Sequence, residues 1–506
     1  MITAGGLAIP ESRQADLPIM GADTPMQLPT TAPPSPRRLP GDGVVSVSPV
    51  SEGGAAPLAR ATGSRMRAGR YVPVPVKYGI ALSAGLAWFA FSVFLSLPWV
   101  EGLAALLGRP LALFVIAFIA WVPGFMNAFL IATILLDRRP ERRMLDTYPP
   151  VSVLVACYNE ADAIAQTIRS LAQQDYRGPI EVLVLDDGST DDSVQRAEAA
   201  IQTYLRPGLT MSVVRGMRNA GKAAVLNRGL ALSEHPIVLT VDGDCWVSGD
   251  AVTHIVERYI SDPRGTRAVA GCVLARNSRT NWVTAMQEWD YFHGIAAVKR
   301  MQSMYHGTLV AQGAFSLYDR AALVEAGGWP ECVGEDIVLS WAILERGHRI
   351  GYCEDAVAFT NVPDSLPRFA RQRQRWSRGL LEAFKSHPRM LFKWRMSTLF
   401  VWWNVLFLPL DLVYTFAFIP GLLFALFGVY AIAGPMTLLV LPLAMLWNMI
   451  IFAVQKAMFK RQDLVVRRNI RGFLLYVFLY TMILQPVCVW GYVTEALGMR
   501  KRWGTK

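Results

Sequence analysis

Four short strings in the middle of this chain carry residue types able to do chemistry. Leu185-Asp186-Asp187-Gly188-Ser189-Thr190 follows an apolar, β-rich run. Carboxylates at the end of a strand can hydrogen-bond a base or a ribose, and glycine there admits a tight turn. Asp187 or Ser189 reads equally well as a helix cap. Leu239-Thr240-Val241-Asp242-Gly243-Asp244 places two carboxylates one residue apart at the end of a second apolar run. Such a pair can hold a hard divalent cation against diphosphate oxygens, although the same letters are common in plain turns. Gly334-Glu335-Asp336 heads the apolar helical run 337–344. A carboxylate at a helix N-terminus is kept ionised by the dipole, which suits a general base and also an ordinary cap. Gln372-Arg373-Gln374-Arg375-Trp376 offers a flat indole for a sugar ring and guanidinium groups for anionic oxygens. Its plainer reading is an interfacial helix with snorkelling arginines and a belt tryptophan.

The elements around these strings set where they stand. Short β-rich runs at 151–156, 180–185 and 237–241 are separated by helical stretches at 161–174 and 192–204. Alternating strands and helices predict a largely parallel sheet, with the ligand site at the carboxyl ends of its strands. That places Asp187 and Asp242 on one edge. Basic and aromatic residues interleave from 368 to 395, the pattern of helices lying at a membrane surface.

Composition explains what surrounds this soluble text. The 506 residues are 53% hydrophobic and 18% charged, against roughly 25% charged in soluble proteins. Mean hydropathy is +0.29. Six cysteines without CxxC spacing support neither a disulfide scaffold nor a zinc ribbon. Apolar runs at 78–100 and 110–136 are each long enough for a membrane span. Arg65, Arg67, Arg70 and Lys77 precede the pair, and Arg138, Arg139, Arg142 and Arg143 come after it. The positive-inside rule then puts both flanks, and the soluble stretch beyond Arg143, in the cytosol. Further spans are expected near 398–419, 436–455 and 473–492, while 421–433, between Pro420 and Pro435, is short for a crossing. Lys456–Arg471 and Arg500–Lys506 are both basic with one apolar run between them, which leaves the number of C-terminal spans open. The Pro-, Gly- and Ser-rich first seventy residues cannot bury enough apolar surface to order themselves. The expected organisation is a disordered tail at 1–76, two transmembrane helices at 77–137, a catalytic domain at 149–367, interface helices at 368–396, and C-terminal transmembrane helices at 397–498. The net charge of +11 flanks apolar runs and marks no basic groove, so no nucleic acid is expected.

Taken together and in this order, the strings resemble the catalytic domain of membrane-integrated, processive family-2 glycosyltransferases. These include cellulose, chitin, hyaluronan and poly-N-acetylglucosamine synthases. The likeness also covers Val151-Ser152-Val153-Leu154-Val155-Ala156-Cys157-Tyr158-Asn159-Glu160, Asn219-Ala220-Gly221-Lys222 and the acceptor-like segment Gln312-Gly313-Ala314-Phe315. Gln-x-x-Arg-Trp is its most specific piece. The resemblance implies an α/β GT-A domain inserted between transmembrane helices, binding a UDP-sugar with Mg2+ or Mn2+. By the same likeness, Tyr158, Glu160, Asp187, Lys222, Asp242 and Arg375 would bind the nucleotide-sugar. Asp242 and Asp244 would hold the metal, Asp336 would be the catalytic base, and Gly313, Gln372 and Trp376 would meet the acceptor. Glycine before Glu335-Asp336 tilts the expected donor toward UDP-N-acetylglucosamine.

The implied activity is inverting synthesis and export of a β-linked polysaccharide at the inner (plasma) membrane, with the catalytic domain cytoplasmic. Partners would be the donor, the growing polysaccharide, membrane lipids and export or accessory subunits. Three alternatives stay open: a glucose-polymer (cellulose or β-glucan) synthase, a non-processive lipid glycosyltransferase, and a catalytically dead membrane scaffold.

Overall fold

The computed structural model describes residues 6–8, 72–140, 142–460 and 465–499. Most of the expected tail at 1–76, its Arg65, Arg67 and Arg70, and Arg500–Lys506 lie outside the described residues.

Among the described residues, four helices are long and apolar enough to cross a membrane. Two precede the soluble domain: α1 (Val74–Leu107) and α2 (Arg109–Leu135). Only Gly108 separates them, at φ +79°, a conformation that strains any side chain but is open to glycine. Small residues let the two helices close up. A Cβ on Gly85 would stand 2.7 Å from the Phe125 ring, and one on Gly124 3.0 Å from Trp88. Just past α2, Arg139 donates to Asp137 and Glu354 and to the carbonyls of Tyr352 and Arg300. Arg142 pairs with Glu257 at 2.7 Å and Asp355 at 2.6 Å. The basic flank therefore also bolts the helical hairpin to the domain.

The domain is built on an eight-stranded sheet. Its strands are β1 (Val151–Cys157), β2 (Ile180–Asp186), β3 (Leu209–Val214), β4 (Ile237–Asp242), β5 (Trp246–Val247), β6 (Thr266–Ala275), β7 (Phe315–Asp319) and β8 (Arg349–Thr360). The spatial order is β3-β2-β1-β4-β7-β6-β8-β5. The first four strands are mutually parallel, as alternating strands and helices predict. Beyond β4 the sheet is mixed: β7 runs antiparallel to β4 and β6, and β5 antiparallel to β8. β6 and β8 remain parallel to each other. The parallel expectation thus holds for one half of the sheet only, because β7 enters after a long helical excursion and runs back along β4.

The helices packed on the sheet are α3 (Ile164–Ala172), α4 (Ser193–Tyr204), α5 (Lys222–Leu232) and α6 (Ala251–Ser261). The excursion before β7 comprises α7 (Trp282–Trp289), a π turn (Asp290–Ile295) and α8 (Ala296–Met304). Then come α9 (Arg320–Ala326), α10 (Glu335–Glu345), α11 (Leu366–Ser386), α12 (Thr398–Leu426), α13 (Pro435–Lys460) and α14 (Ile470–Ala496). α12 passes through a π turn at Tyr414–Phe418 and continues beyond Pro420 to Leu426. The proline therefore does not end the span, since its missing N–H falls in the first turn of the segment after the π turn.

Candidate active site

Parallel register puts the ends of three strands side by side. Cys157 pairs with Asp186 and Ala156 with Asp242, so Tyr158–Glu160, Asp187 and Asp242 emerge along one edge. The turns there are knitted by side chains to backbone. Asp186 accepts from the N–H groups of Gly188 and Ser189 at 3.2 and 3.1 Å. Asn159, held at φ +55°, accepts from the Thr190 N–H at 2.8 Å, while its own N–H donates to Ser189. Gly188 needs its freedom twice over: its φ is +71°, and a Cβ would meet the Arg218 backbone at 2.6 Å. Glu160 lies against Gly243, whose added Cβ would stand 3.2 Å from Glu160 Cγ.

Asp187 is buried, and its carboxylate accepts from Ala220 N–H at 2.7 Å and Gly221 N–H at 3.0 Å. Burial pushes its pKa up, against the pull of those two N–H donors. These contacts draw the 219–222 segment toward β2 and start α5 at Lys222. Lys222 Nζ then bonds Asp242 Oδ1 and lies 3.9 Å from Glu335 Oε1. A Cβ on Gly313 would sit 2.7 Å from the same ammonium. Burial lowers the Lys222 pKa, but Asp242 and Glu335 outweigh it and hold the ammonium above its usual range. At Glu335 the balance reverses. Burial raises that carboxyl, and Lys222, closer to Asp242 than to Glu335, does not fully offset it.

Asp336 stands in the first turn of α10, its Oδ1 accepting from the Ile337 N–H at 2.8 Å. Its charge reaches Lys222 and also Lys299, a buried lysine on α8 that burial draws down to about 8. α10 meets α11 through two glycines: a Cβ on Gly334 would fall 2.5 Å from Gly379 Cα. Glu382 Oε2 accepts from the Gly334 N–H at 2.8 Å across the same seam. This contact packs the helix that carries Gln372, Arg375 and Trp376 against α10, and Arg375 feels the acidic group. Burial lowers the Arg375 pKa, while Glu335, Asp242 and Asp336 act on it in the opposite sense. Gln372 Oε1 is buried and accepts no hydrogen bond among the described residues. Trp376 keeps 43% of its surface exposed. Asp244 accepts from Thr360 Oγ1 at 3.4 Å, with its charge acting on Arg276 and Tyr291.

The domain's sequence and fold have counterparts among known proteins. Residues 152–327 fit the model of the glycosyl transferase family 2 domain. The chain carries a family-2 glycosyl transferase domain. Over 264 residues the chain is 29% identical to a poly-beta-1,6-N-acetyl-D-glucosamine synthase of Staphylococcus aureus (strain MSSA476), covering 52% of this chain and 62% of that one. Over 241 residues it is 32% identical to an N-acetylglucosaminyltransferase of Bradyrhizobium diazoefficiens, covering 46% of this chain and 49% of that one. The chain thus spans about 62% of the length of the first of these curated relatives and 49% of the second. A mannosyltransferase from Pyrobaculum calidifontis, in complex with GDP-Man and Mn2+, has the same fold at a TM-score of 0.51 and 18% identity. That likeness covers 76% of this chain and 99% of the other. The transferase domain is therefore of the GT-A type, flanked by candidate transmembrane helices.

The GT-A fold implies a divalent cation. Among the described residues no group of three or more His, Cys, Asp or Glu side chains is arranged to hold a metal. The transferase domain offers instead the two oxygen-donor carboxylates of Asp242 and Asp244. This set fits Mg2+ or Mn2+, which bind one or two carboxylates and complete their shell with phosphate and water oxygens.

Residues to which the resemblance assigns no role also lie beside these strings. Arg373 is buried at 2% exposure and pairs with Asp290 at 2.9 Å, so it does not snorkel. Its i, i+3 spacing to Trp376 was the available signal. Nothing local marks Asp290, Tyr291 or Arg276, which come from distant segments. Gly334 also has a packing reason, the Gly379 contact, that is independent of the donor sugar.

Proposed function

We propose that the chain is a membrane-integrated, processive, inverting transferase that polymerises UDP-N-acetylglucosamine into a β-linked polysaccharide and exports it. The observation that carries this reading is the glycine seam between α10 and α11. It packs the N-terminal end of α10, where Asp336 stands, against the helix that carries the Gln-x-x-Arg-Trp string. The names of the two relatives support N-acetylglucosamine as the sugar.

In the proposed reaction, Asp336 takes the proton from the terminal hydroxyl of the growing chain, and that oxygen attacks the anomeric carbon opposite the nucleotide. The bond to the diphosphate breaks and UDP leaves, with inversion and without a covalent sugar–protein intermediate. The transition state is oxocarbenium-like, as in glycoside hydrolysis. Leaving-group charge would fall beside Lys222 and Arg375, two cations set among the same carboxylates. Asp242 and Asp244 would hold the cation, which when bound supplies charge neutralisation to the diphosphate oxygens. Tyr158 and Glu160 would bound the nucleotide, and Asp187 would serve it by fixing the 219–222 segment. Gly313, Gln372 and Trp376 would receive the acceptor sugar. The basic flanks of the first two helices support a cytoplasmic catalytic domain at the plasma membrane.

The test is a donor screen in membrane vesicles, reading UDP release, product length and linkage. Long β-linked N-acetylglucosamine chains are expected. A glucose polymer would move the donor assignment, and a single sugar on lipid would end the processive reading. No UDP release from any UDP-sugar would end the enzymatic one.

A further inference from the structure

Arg373 is the one charged residue of the Gln372–Trp376 string that the proposed reaction leaves without a task. Its guanidinium carbon lies 3.9 Å from the Trp376 ring centroid and 5.0 Å from that of Phe369. Tyr291 and Tyr480 close the cage, each at 6.0 Å. Phe369 and Tyr480 in turn meet edge to face at 5.7 Å. The partners come from three places: α11 itself, the π turn that supplies Asp290 and Tyr291, and the membrane helix α14 that supplies Tyr480. A π turn inserts an extra residue into the helical repeat and re-aims the side chains after it. Here it presents a carboxylate and a phenol ring to the same cation.

A buried guanidinium is costly unless its charge is paired, and Asp290 supplies that pairing. The rings cover the planar faces, where cation–π attraction is strongest once water is excluded. Trp376 behaves differently from its neighbours, since its residue is 43% exposed while Arg373 is almost wholly covered. One face of the indole thus rests on a fixed plate, and its remaining surface is open.

We propose that Arg373 is a positioning residue for the acceptor: its guanidinium holds the Trp376 indole at a fixed height, so that the open face receives a sugar ring in register with the attacking hydroxyl. This rests on the acceptor role of Trp376 given above. Lysine at this position keeps the charge and can still reach Asp290, but it offers no plane to stack.

The experiment compares wild type, Arg373→Lys and Trp376→Ala as full-length protein in vesicles with UDP-N-acetylglucosamine. It measures UDP affinity, apparent KM for added β-linked N-acetylglucosamine oligosaccharides, product length and thermal unfolding. Arg373→Lys is expected to leave UDP affinity and unfolding unchanged, raise the oligosaccharide KM by about tenfold and shorten the product. Wild-type chain length and KM in Arg373→Lys, with both altered in Trp376→Ala, would overturn the role of Arg373 alone. Loss of UDP affinity together with lowered unfolding temperature in Arg373→Lys would make the residue structural and also overturn the proposal. An unaltered KM in Trp376→Ala, or no turnover of this donor by wild type, would instead bring down the acceptor or donor reading and this inference with it.

Discussion

The two sides of the candidate site are held together by different kinds of contact. On the strand side, carboxylates answer backbone N–H groups: Asp186 takes Gly188 and Ser189 within its own turn, and Asp187 takes Ala220 and Gly221 of the next strand-to-helix loop. On the helix side the contacts are between elements far apart in the chain. Gly334 touches Gly379, Arg373 meets Asp290, and Arg378 meets Glu495 at 3.2 Å. A side built from turns can be altered one turn at a time. A side built from helix seams moves whole helices when one residue changes. Binding of the nucleotide and receipt of the acceptor should therefore be separable by mutation.

The largest expected effect isolates the chemistry from both sides. Asp336→Asn should cut transfer by about 10²–10⁴-fold, the usual weight of a general base, while UDP still binds by calorimetry. Near-normal polymer yield would remove Asp336 from its role. Next comes a break confined to the helix side. A Cβ on Gly379 would already sit 2.7 Å from Gly334 Cα, so Gly379→Leu should part α10 from α11. Synthesis should collapse, with about 1–3 kcal/mol lost from stability by overpacking and UDP affinity kept. If UDP affinity falls equally, the two sides are not independent.

The converse break, Asp187→Ala, removes the part-buried hydrogen bonds from the Ala220 and Gly221 N–H groups, at about 0.5–1.5 kcal/mol each. UDP affinity should weaken by a corresponding one to two orders of magnitude, with the oligosaccharide KM unmoved. The smallest effect is a pH slope. Burial holds Lys299 at about 8 against an ordinary value of 10.5, so between those pH values the unfolded chain binds the extra proton. Stability should therefore rise with pH across that window, by at most about 1.4 kcal/mol per unit. Unfolding curves of wild type minus Lys299→Met should show this slope, and parallel curves would refute the depressed lysine.

This contrast also explains what could be read from the sequence. β1, β2 and β4 lie within a residue of the runs that hydrophobicity marks at 151–156, 180–185 and 237–241. Strand ends and turns are local, so the acidic strings at their tips were visible as strings. The mixed half of the sheet, β6–β8, was not, because its pairing depends on how residues 282–314 fold back and not on local period. Arg373 was legible as a charge but not as a buried one, since its partner Asp290 lies 83 residues away. The extent of α12 was missed for a local reason: Pro420 resembles a stop, yet a π turn just before it lets the helix continue.

One fastening at the end of the chain has a reach beyond the site. Glu495, in the last turn of α14, is gripped by Arg378 and Lys385 of α11, and Ser377 fills the notch over Gly491. α14 runs 27 residues, about 40 Å at 1.5 Å per residue, longer than the ~30 Å of a typical hydrocarbon layer. Such a helix leans to hide its excess length, and leans further as the bilayer thins. Because α11 is pinned to its tip, a lean of this candidate span would be felt along the helix that carries Trp376.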